Sequence, residues 1–362
     1  MPTPQVTTVE DGEVVWRLAS ADHQIEKVRL WSDFDLGDNA FEPVDGGWEL
    51  RLRSENLPPV DRLEYLFEVT EGGETDWRLD FGNPLRVGGA FGDHSWLPLG
   101  YQPPSWLEVE PVAGDRRSLV VTTPADDVHV QIWSPAGARA GDRLPLLLCH
   151  DGPEMDTLGE LTRFIGTMIT SERLPPIRVG LLAPGARDER YAANPMYAEA
   201  LCRQVVPAVL EAAPSDKPPV LMGQSLGALA ALHAEWTHPG TFAGLLLQSG
   251  SFFTPELDAQ ESGYSQWGAV TAFVAEVIGA RCARPFDKLR EQGLRGRIPV
   301  TVCFGSAEEN AGNNLLMAAK LSELGYDVST GSVRDGHNFT CWRDLLDPYL
   351  VDLLTRRQAQ GA

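Results

Sequence analysis

The sequence predicts two folds in one chain: a small all-β sandwich of immunoglobulin-like form, followed by a larger α/β domain with a mostly parallel sheet. Three observations carry this. Residues 1–97 alternate apolar and polar side chains, the later chain carries unbroken apolar runs between helical stretches, and a proline-rich segment separates the two textures.

In the first part, Trp48, Leu50 and Leu52 alternate with charged residues, as do Leu63, Tyr65, Phe67 and Val69. A period of two marks strands with one buried face. Val28–Trp31 and Asp76–Leu79 are shorter examples, and Asp45-Gly-Gly47, Pro58-Pro59, Gly72-Gly73 and Asn83-Pro84 supply turns between them. Short strands at this spacing suit an antiparallel sandwich. Pro98 to Pro104 interrupts regular structure, so the boundary is placed there: a sandwich domain over 1–97, a linker over 98–106 and an α/β domain over 107–362.

Beyond the linker, Ser118–Thr122 and Val128–Ser134 read as two antiparallel strands. Leu144–Cys149, Arg178–Ala183, Pro219–Met222, Gly244–Gln248 and Val300–Phe304 are apolar without alternation, the pattern of strands covered on both faces. Helical stretches such as Met196–Ala213 and Asn314–Leu324 lie between them.

Gly223-Gln-Ser-Leu-Gly227 follows one of these strands and precedes the Ala/Leu-rich helix Leu226–Trp236. A Gly-x-Ser-x-Gly in that context is a nucleophile elbow, with glycines where a Cβ would collide with a neighbouring element. It makes Ser225 the candidate nucleophile and the Leu226 N–H a candidate oxyanion donor. The α/β-hydrolase fold places an acid and then a histidine after later strands. Gly305-Ser-Ala-Glu308-Glu309 follows the run at Val300–Phe304, and Asp335-Gly-His337 follows a strand-like Tyr326–Val333. His337 is therefore the candidate base. For the acid, Glu308 fits the turn better than Glu309, Asp335 is a third candidate, and a Ser–His dyad needs none.

The remaining histidines have plainer readings. His233 and His238 lie in or after the elbow helix, His23, His94 and His129 in β regions, and His150 at a strand end beside Asp151-Gly152. No zinc-spaced Cys/His set, H-E-x-x-H, P-loop or strand-linked G-x-G-x-x-G is present, so no cofactor is expected.

The formal charge of −21, with no basic block, argues against nucleic acid or an anionic membrane as partner. The N-terminus lacks a basic then apolar leader, and no apolar run reaches roughly 18–20 residues. Five scattered cysteines without a C-x-x-C fit reduced thiols, and together these observations predict a cytoplasmic protein.

With these residues in place, the chain resembles the enterochelin (enterobactin) esterases, within the esterase D and mycolyltransferase-like α/β-hydrolases. The likeness runs through Gly88–Trp96, Gly100–Trp106, His150-Asp-Gly152, Asn194-Pro195, the elbow, and Gly336-His337 with Cys341-Trp342-Arg343. It implies a triad of Ser225, His337 and Glu308, and hydrolysis of a catecholate siderophore trilactone or its linear fragments to release iron. It also implies Arg187 and Trp342 as substrate contacts, with Arg190 and Arg343 as weaker candidates. Relatives in the wider group take the second oxyanion donor from the residue after Asp-Gly. Here that residue is Pro153, which has no N–H, so Gly152 or Glu154 must donate, or the hole has one donor fewer. Trp96 is a candidate aromatic contact from the sandwich, against a packing role at the domain boundary. Two rival readings keep the fold: an acyltransferase with a different acceptor, and a substrate-binding protein with a degenerate hydrolase domain.

Overall fold

The structure, a computed structural model, describes residues 8–10, 12–20, 25–281 and 298–359. His23 and Cys282 lie outside the described residues. The chain forms two compact units. One comprises Met1–Gln102 with Ser306–Glu308 and Arg334–Asn338, and the other comprises Pro103–Gly305, Glu309–Val333 and Phe339–Ala362.

The first unit contains strands β1 (Thr8–Glu10), β2 (Glu13–Ala19), β3 (Ile25–Trp31), β4 (Glu42–Val44), β5 (Gly47–Arg53), β6 (Arg62–Glu71), β7 (Glu74–Arg78), β8 (Arg86–Gly89) and β9 (Gly92–Pro98). They pair antiparallel in two sheets, β1-β2-β5-β4 and β3-β6-β9-β8, with β7 added to β6. The alternation at Leu63, Tyr65, Phe67 and Val69 becomes the inner face of β6. It packs with Val28 and Leu30 of β3 against Val14, Trp16 and Leu50 of the other sheet. Trp16 meets Tyr65 edge-on at 6.1 Å, and the Tyr65 hydroxyl reaches out of the core to donate to Asp80 Oδ2 at 2.8 Å. Strand β2 escapes a period-two reading because Val14, Val15 and Trp16 are consecutive and all buried.

The second unit holds β10 (Gly114–Thr122), β11 (Asp127–Pro135), β12 (Leu146–Cys149), β13 (Arg178–Leu182), β14 (Val220–Gln224), β15 (Gly244–Gln248), β16 (Pro299–Gly305) and β17 (Asp327–Val333). Their order is β10-β11-β13-β12-β14-β15-β16-β17, antiparallel as far as β13 and parallel from there on. The unalternating apolar runs are explained by two cores. Leu146 and Leu148 of β12, Leu221 of β14 and Val300 and Val302 of β16 face one; Leu147, Cys149, Val220, Met222 and Cys303 face the other. Every side chain of such a strand is inside, so hydropathy has no period to show.

Helices α1 (Gly152–Leu158), α2 (Leu161–Thr170), α3 (Arg187–Tyr191), α4 (Pro195–Ala200), α5 (Val206–Ala212), α6 (Leu226–Thr237), α7 (Trp267–Gly279), α8 (Ala311–Glu323), α9 (Phe339–Asp344) and α10 (Tyr349–Ala359) cover the sheet. The helical stretch expected at Met196–Ala213 is realised as α4 and α5 joined by a π-type turn at Leu201–Val205. Pro207 explains the interruption, since its ring displaces a carbonyl in the preceding turn. In the linker region, residues 99–104 are irregular, but Ser105–Glu108 closes a 3-10 turn that buries Trp106 edge-on to Phe164 at 5.2 Å. Among the described residues no helix is long and apolar enough to cross a membrane.

Residues 226–236 of α6 are buried all round, as a central helix must be. Two ionisable groups are buried with it. Desolvation pushes the His233 imidazole down to about 4 and the Glu235 carboxyl up to about 8. Both are therefore held neutral in the folded chain over a range where the unfolded chain charges them.

Two predictions follow from this packing. Trp16→Ala should cost about 3–5 kcal/mol in urea unfolding of the sandwich, Trp16 being wholly buried; a cost under about 1 kcal/mol would contradict the assigned core. His233 keeps its full contribution above pH 6.5 and loses it as the pH falls towards 4, because the unfolded chain takes up the proton first. His233→Leu should flatten the fall in stability between those pH values, by on the order of 3 kcal/mol, in unfolding curves taken across the range. Glu235 acts with the opposite sign: its contribution is full below about pH 4.5 and is lost as the pH rises towards 8, because the unfolded chain ionises it first.

Candidate functional site

Strand β14 delivers Ser225 into a strained positive-φ conformation, φ 55° and ψ −122°, and α6 begins at the next residue. Gly223 is obligatory here, since a Cβ would overlap the Gly227 carbonyl group in the first turn of α6. A Cβ on Gly227 would in turn press against His150 and Asp151 at 3.0 and 3.3 Å. The two glycines let strand, helix and the loop after β12 approach closely. Ser225 is the one residue of Gly223–Gly227 that is not buried.

The backbone around Ser225 is tied to the end of β15. Ser225 N–H donates to the Gln248 carbonyl at 2.9 Å, and Ser251 N–H donates to the Ser225 carbonyl at 3.2 Å. The two serine hydroxyls lie 3.2 Å apart. Ser251 was not singled out from sequence; its signal is the Ser249-Gly-Ser251 run directly after an apolar strand. Its loop is held from two sides. Gly250 exchanges hydrogen bonds with the Asn314 side chain (2.8 and 3.1 Å), and Ser249, itself at φ 49°, accepts from Trp342 Nε1 at 2.9 Å. Trp342 is 6% exposed, and its carbonyl accepts from Gln248 Nε2 at 2.8 Å. The structure thus gives Trp342 a supporting position under the Ser249–Ser251 loop.

Leu226 and Gly152, the candidate oxyanion donors, each open a helix, α6 and α1. First-turn N–H groups have no intrahelical acceptor, which is what an oxyanion site requires. Gly152 is required because a Cβ would overlap the Leu181 backbone, and Pro153 fits the first turn because its missing N–H would be unpaired there anyway. His150 is spoken for. It is fully buried, its Nδ1 donates to the Gly227 carbonyl at 2.9 Å, and burial pushes it down to about 4.

The acid and base candidates meet in the other unit. His337 Nδ1 lies 3.2 Å from Glu308 Oε2, with the Glu308 side chain shielded from solvent and that of His337 29% exposed. Since a carboxylate only accepts, Nδ1 carries the proton of the neutral ring and Nε2 is the basic nitrogen. Glu309 is exposed, 3.4 Å from Gln260 Nε2. Asp335 accepts from Arg62 Nε and from its own loop at Gly336 N and Asn338 Nδ2. Of the three carboxylates, Glu308 is the one hydrogen-bonded to the imidazole.

The arginines divide by their partners. Arg187 grips the Asp151 carboxylate with two nitrogens at 2.8–3.1 Å while 34% of its side chain stays exposed. Arg190 is consumed by Asp126 and three backbone carbonyls, and Arg343 pairs with Asp344. Trp96 packs edge-on against Tyr101 at 5.8 Å.

An eight-stranded, mostly parallel sheet with a strained Gly-x-Ser-x-Gly elbow defines an α/β-hydrolase. Comparison with known proteins then narrows the class. A family profile described as "Putative esterase" matches residues 122–353, and the chain belongs to that family. Among curated relatives, the iron(III) enterobactin esterase of Escherichia coli K12 is 26% identical over 231 residues, 62% of this chain and 53% of the relative. That of Dickeya dadantii is 31% identical over 166 residues, 44% of this chain and 35% of the relative. The chain thus spans about half the length of the first relative or less. Solved structures extend the likeness to the whole fold. The enterobactin esterase of Shigella flexneri, solved in the presence of enterobactin, superposes with a TM-score of 0.70 at 20% identity, covering 96% of this chain and 95% of that one. The ferric enterobactin esterase of Salmonella typhimurium gives 0.71 at 20% identity, covering 97% and 96%.

Arg187→Ala should expose the cost of burying Asp151, about 2 kcal/mol once the arginine's partial exposure is discounted. Adding Asp151→Asn should restore most of it in thermal unfolding; an additive loss would show that the pair is not what holds these residues.

Proposed function

We propose that this chain is a serine carboxylic ester hydrolase acting on a catecholate siderophore trilactone or its linear fragments. The observation that carries the reading is the Glu308–His337 hydrogen bond. It lies on the loops that follow β16 and β17, in a chain whose β14 ends in a strained serine elbow. Strands β14, β16 and β17 run parallel, so their carboxyl ends share one edge of the sheet, where this fold assembles its chemistry. The family membership supports ester hydrolysis, and the names of the relatives support the substrate.

In the proposed mechanism His337 Nε2 takes the Ser225 proton as Oγ attacks the ester carbonyl. The N–H groups of Leu226 and Gly152 receive the oxyanion, and Glu308 steadies the imidazolium that forms. As the C–O bond breaks, the imidazolium gives its proton to the departing seryl oxygen, which leaves as an alcohol. Water, deprotonated by the same histidine, then releases the acid and frees Ser225. Ser251 keeps the nucleophile's hydroxyl oriented before substrate arrives. Arg187, paired with Asp151 through two nitrogens yet partly exposed, is a cation that an anionic catecholate can meet. Iron enters as part of the substrate and takes no part in the acyl transfer.

Incubation with a tris-catecholate trilactone, iron-free and iron-loaded, followed by chromatography, tests the reading. Conversion to linear trimer, dimer or monomer is expected, with turnover lowered roughly 10⁴-fold or more in Ser225→Ala and His337→Ala. Ser251→Ala should lose on the order of tenfold in kcat with little change in KM. Ser225-dependent cleavage of a p-nitrophenyl ester without trilactone cleavage would retain the esterase and exclude the siderophore. Full activity in Ser225→Ala would overturn the mechanism.

A further inference from the structure

Arg62 opens β6 at a position where alternation places a solvated charge, yet it is 2% exposed. Its Nε donates to Asp335 Oδ2 at 2.7 Å, and one terminal nitrogen donates to Asn338 Oδ1 at 2.7 Å and to Glu64. Glu64 is itself buried and accepts at its other oxygen from His94 Nδ1 at 2.8 Å. The Tyr101 ring lies 5.8 Å from the guanidinium carbon. A buried guanidinium persists only when carboxylates and amides satisfy it, and here two of its arms end two residues before and one residue after His337.

The same loop is tied down elsewhere in this unit. Asp61 N–H donates to the Arg334 carbonyl at 2.8 Å, and a Cβ on Gly336 would strike the Phe34 ring. Ala307 N–H donates to the Asp335 carbonyl at 3.2 Å, joining the loop of His337 to that of Glu308. Residues 306–308 and 334–338 therefore form one compact unit with the sandwich.

We propose that Arg62 is a positioning residue for His337: its planar fork sets the 334–338 loop so that the imidazole meets Glu308. This rests on the reading of His337 as the base. A rigid bidentate fork orients as well as attracts, and misplacement of a catalytic group by about 1 Å can cost ~10²-fold in rate. The sandwich strand β6 thereby has a catalytic duty that its alternating sequence does not advertise.

The test uses the full chain and a short p-nitrophenyl ester, comparing wild type, His337→Ala, Arg62→Lys, Arg62→Met and Asn338→Ala, with circular dichroism to confirm folding. Arg62→Met should lower kcat by roughly 10–100-fold with KM within about twofold. Its acid limb in kcat/KM should move up by roughly one pH unit, because Asp335 and Glu64 lose their counter-charge. Glu308 is hydrogen-bonded to His337, Asp33 from the loop after β3 interacts with it electrostatically, and Asp335 lies two residues before it in the same loop; none of these is altered. Arg62→Lys keeps the charge without the fork, so it should hold the limb in place and recover part of kcat. Asn338→Ala removes one partly buried amide, which accepts from Arg62 and donates to Asp335, and should cut kcat several-fold even if Arg62→Met does not fold. Wild-type kcat and limb in folded Arg62→Met would overturn the proposal; should that variant not fold, wild-type kcat in Asn338→Ala would do so. Activity retained in His337→Ala would overturn the base assignment instead, whatever the Arg62 variants do.

Discussion

Ser225 occupies a backbone conformation that an L-residue enters only under compulsion, and much of the second unit is arranged to compel it. The turn demands that strand β14 and helix α6 nearly touch, which makes glycine necessary at 223, while Gly227 lets the loop after β12 come close. It also demands acceptors and donors for a backbone that has left the sheet. Gln248 and Ser251, at the end of the neighbouring strand, provide them. Those residues need support of their own, which comes from Asn314 on α8 and from Trp342 on α9. A short strained turn thus recruits partners from about 90 to 120 residues away in sequence.

Buried charge is the second organising theme. Asp151 beside the elbow is balanced by Arg187, and Asp335 and Glu64 in the sandwich unit are balanced by Arg62. Such pairs add little net stability compared with apolar packing, but breaking one leaves a charge stranded, so they hold geometry firmly. One lies beside the turn that carries Ser225, and the other holds the loop that carries His337. Glu235 and His233 on α6 solve the same problem by staying neutral.

The likeness to enterobactin esterases spreads over the whole fold at about 20% identity, a level at which architecture is shared and contacts must be read individually. Pro153 illustrates the point. It has no backbone N–H, yet it suits the first turn of α1, and Gly152 before it opens the same helix with an N–H. The position trades one donor for a better-formed helix start.

Local features were legible in the sequence because their physics is local. Alternation at 63–69 reports one buried face, unbroken apolar runs report two, and Gly-x-Ser-x-Gly reports a steric requirement satisfied within five residues. The consecutive apolar triplet of β2 and the π-type turn before Pro207 were not legible, since burial on adjacent positions and a shift in helical register have no simple period. Tertiary structure alone decided which of Glu308, Glu309 and Asp335 is hydrogen-bonded to His337, that Trp342 supports a loop, and that Ser251 reaches Ser225. It also decided that Arg62, a charge on an alternating strand, is buried against the His337 loop. A side chain's type states what it can bond to, but its partner is chosen by which groups the completed fold brings within about 3 Å, and that distance is set by packing across the entire unit.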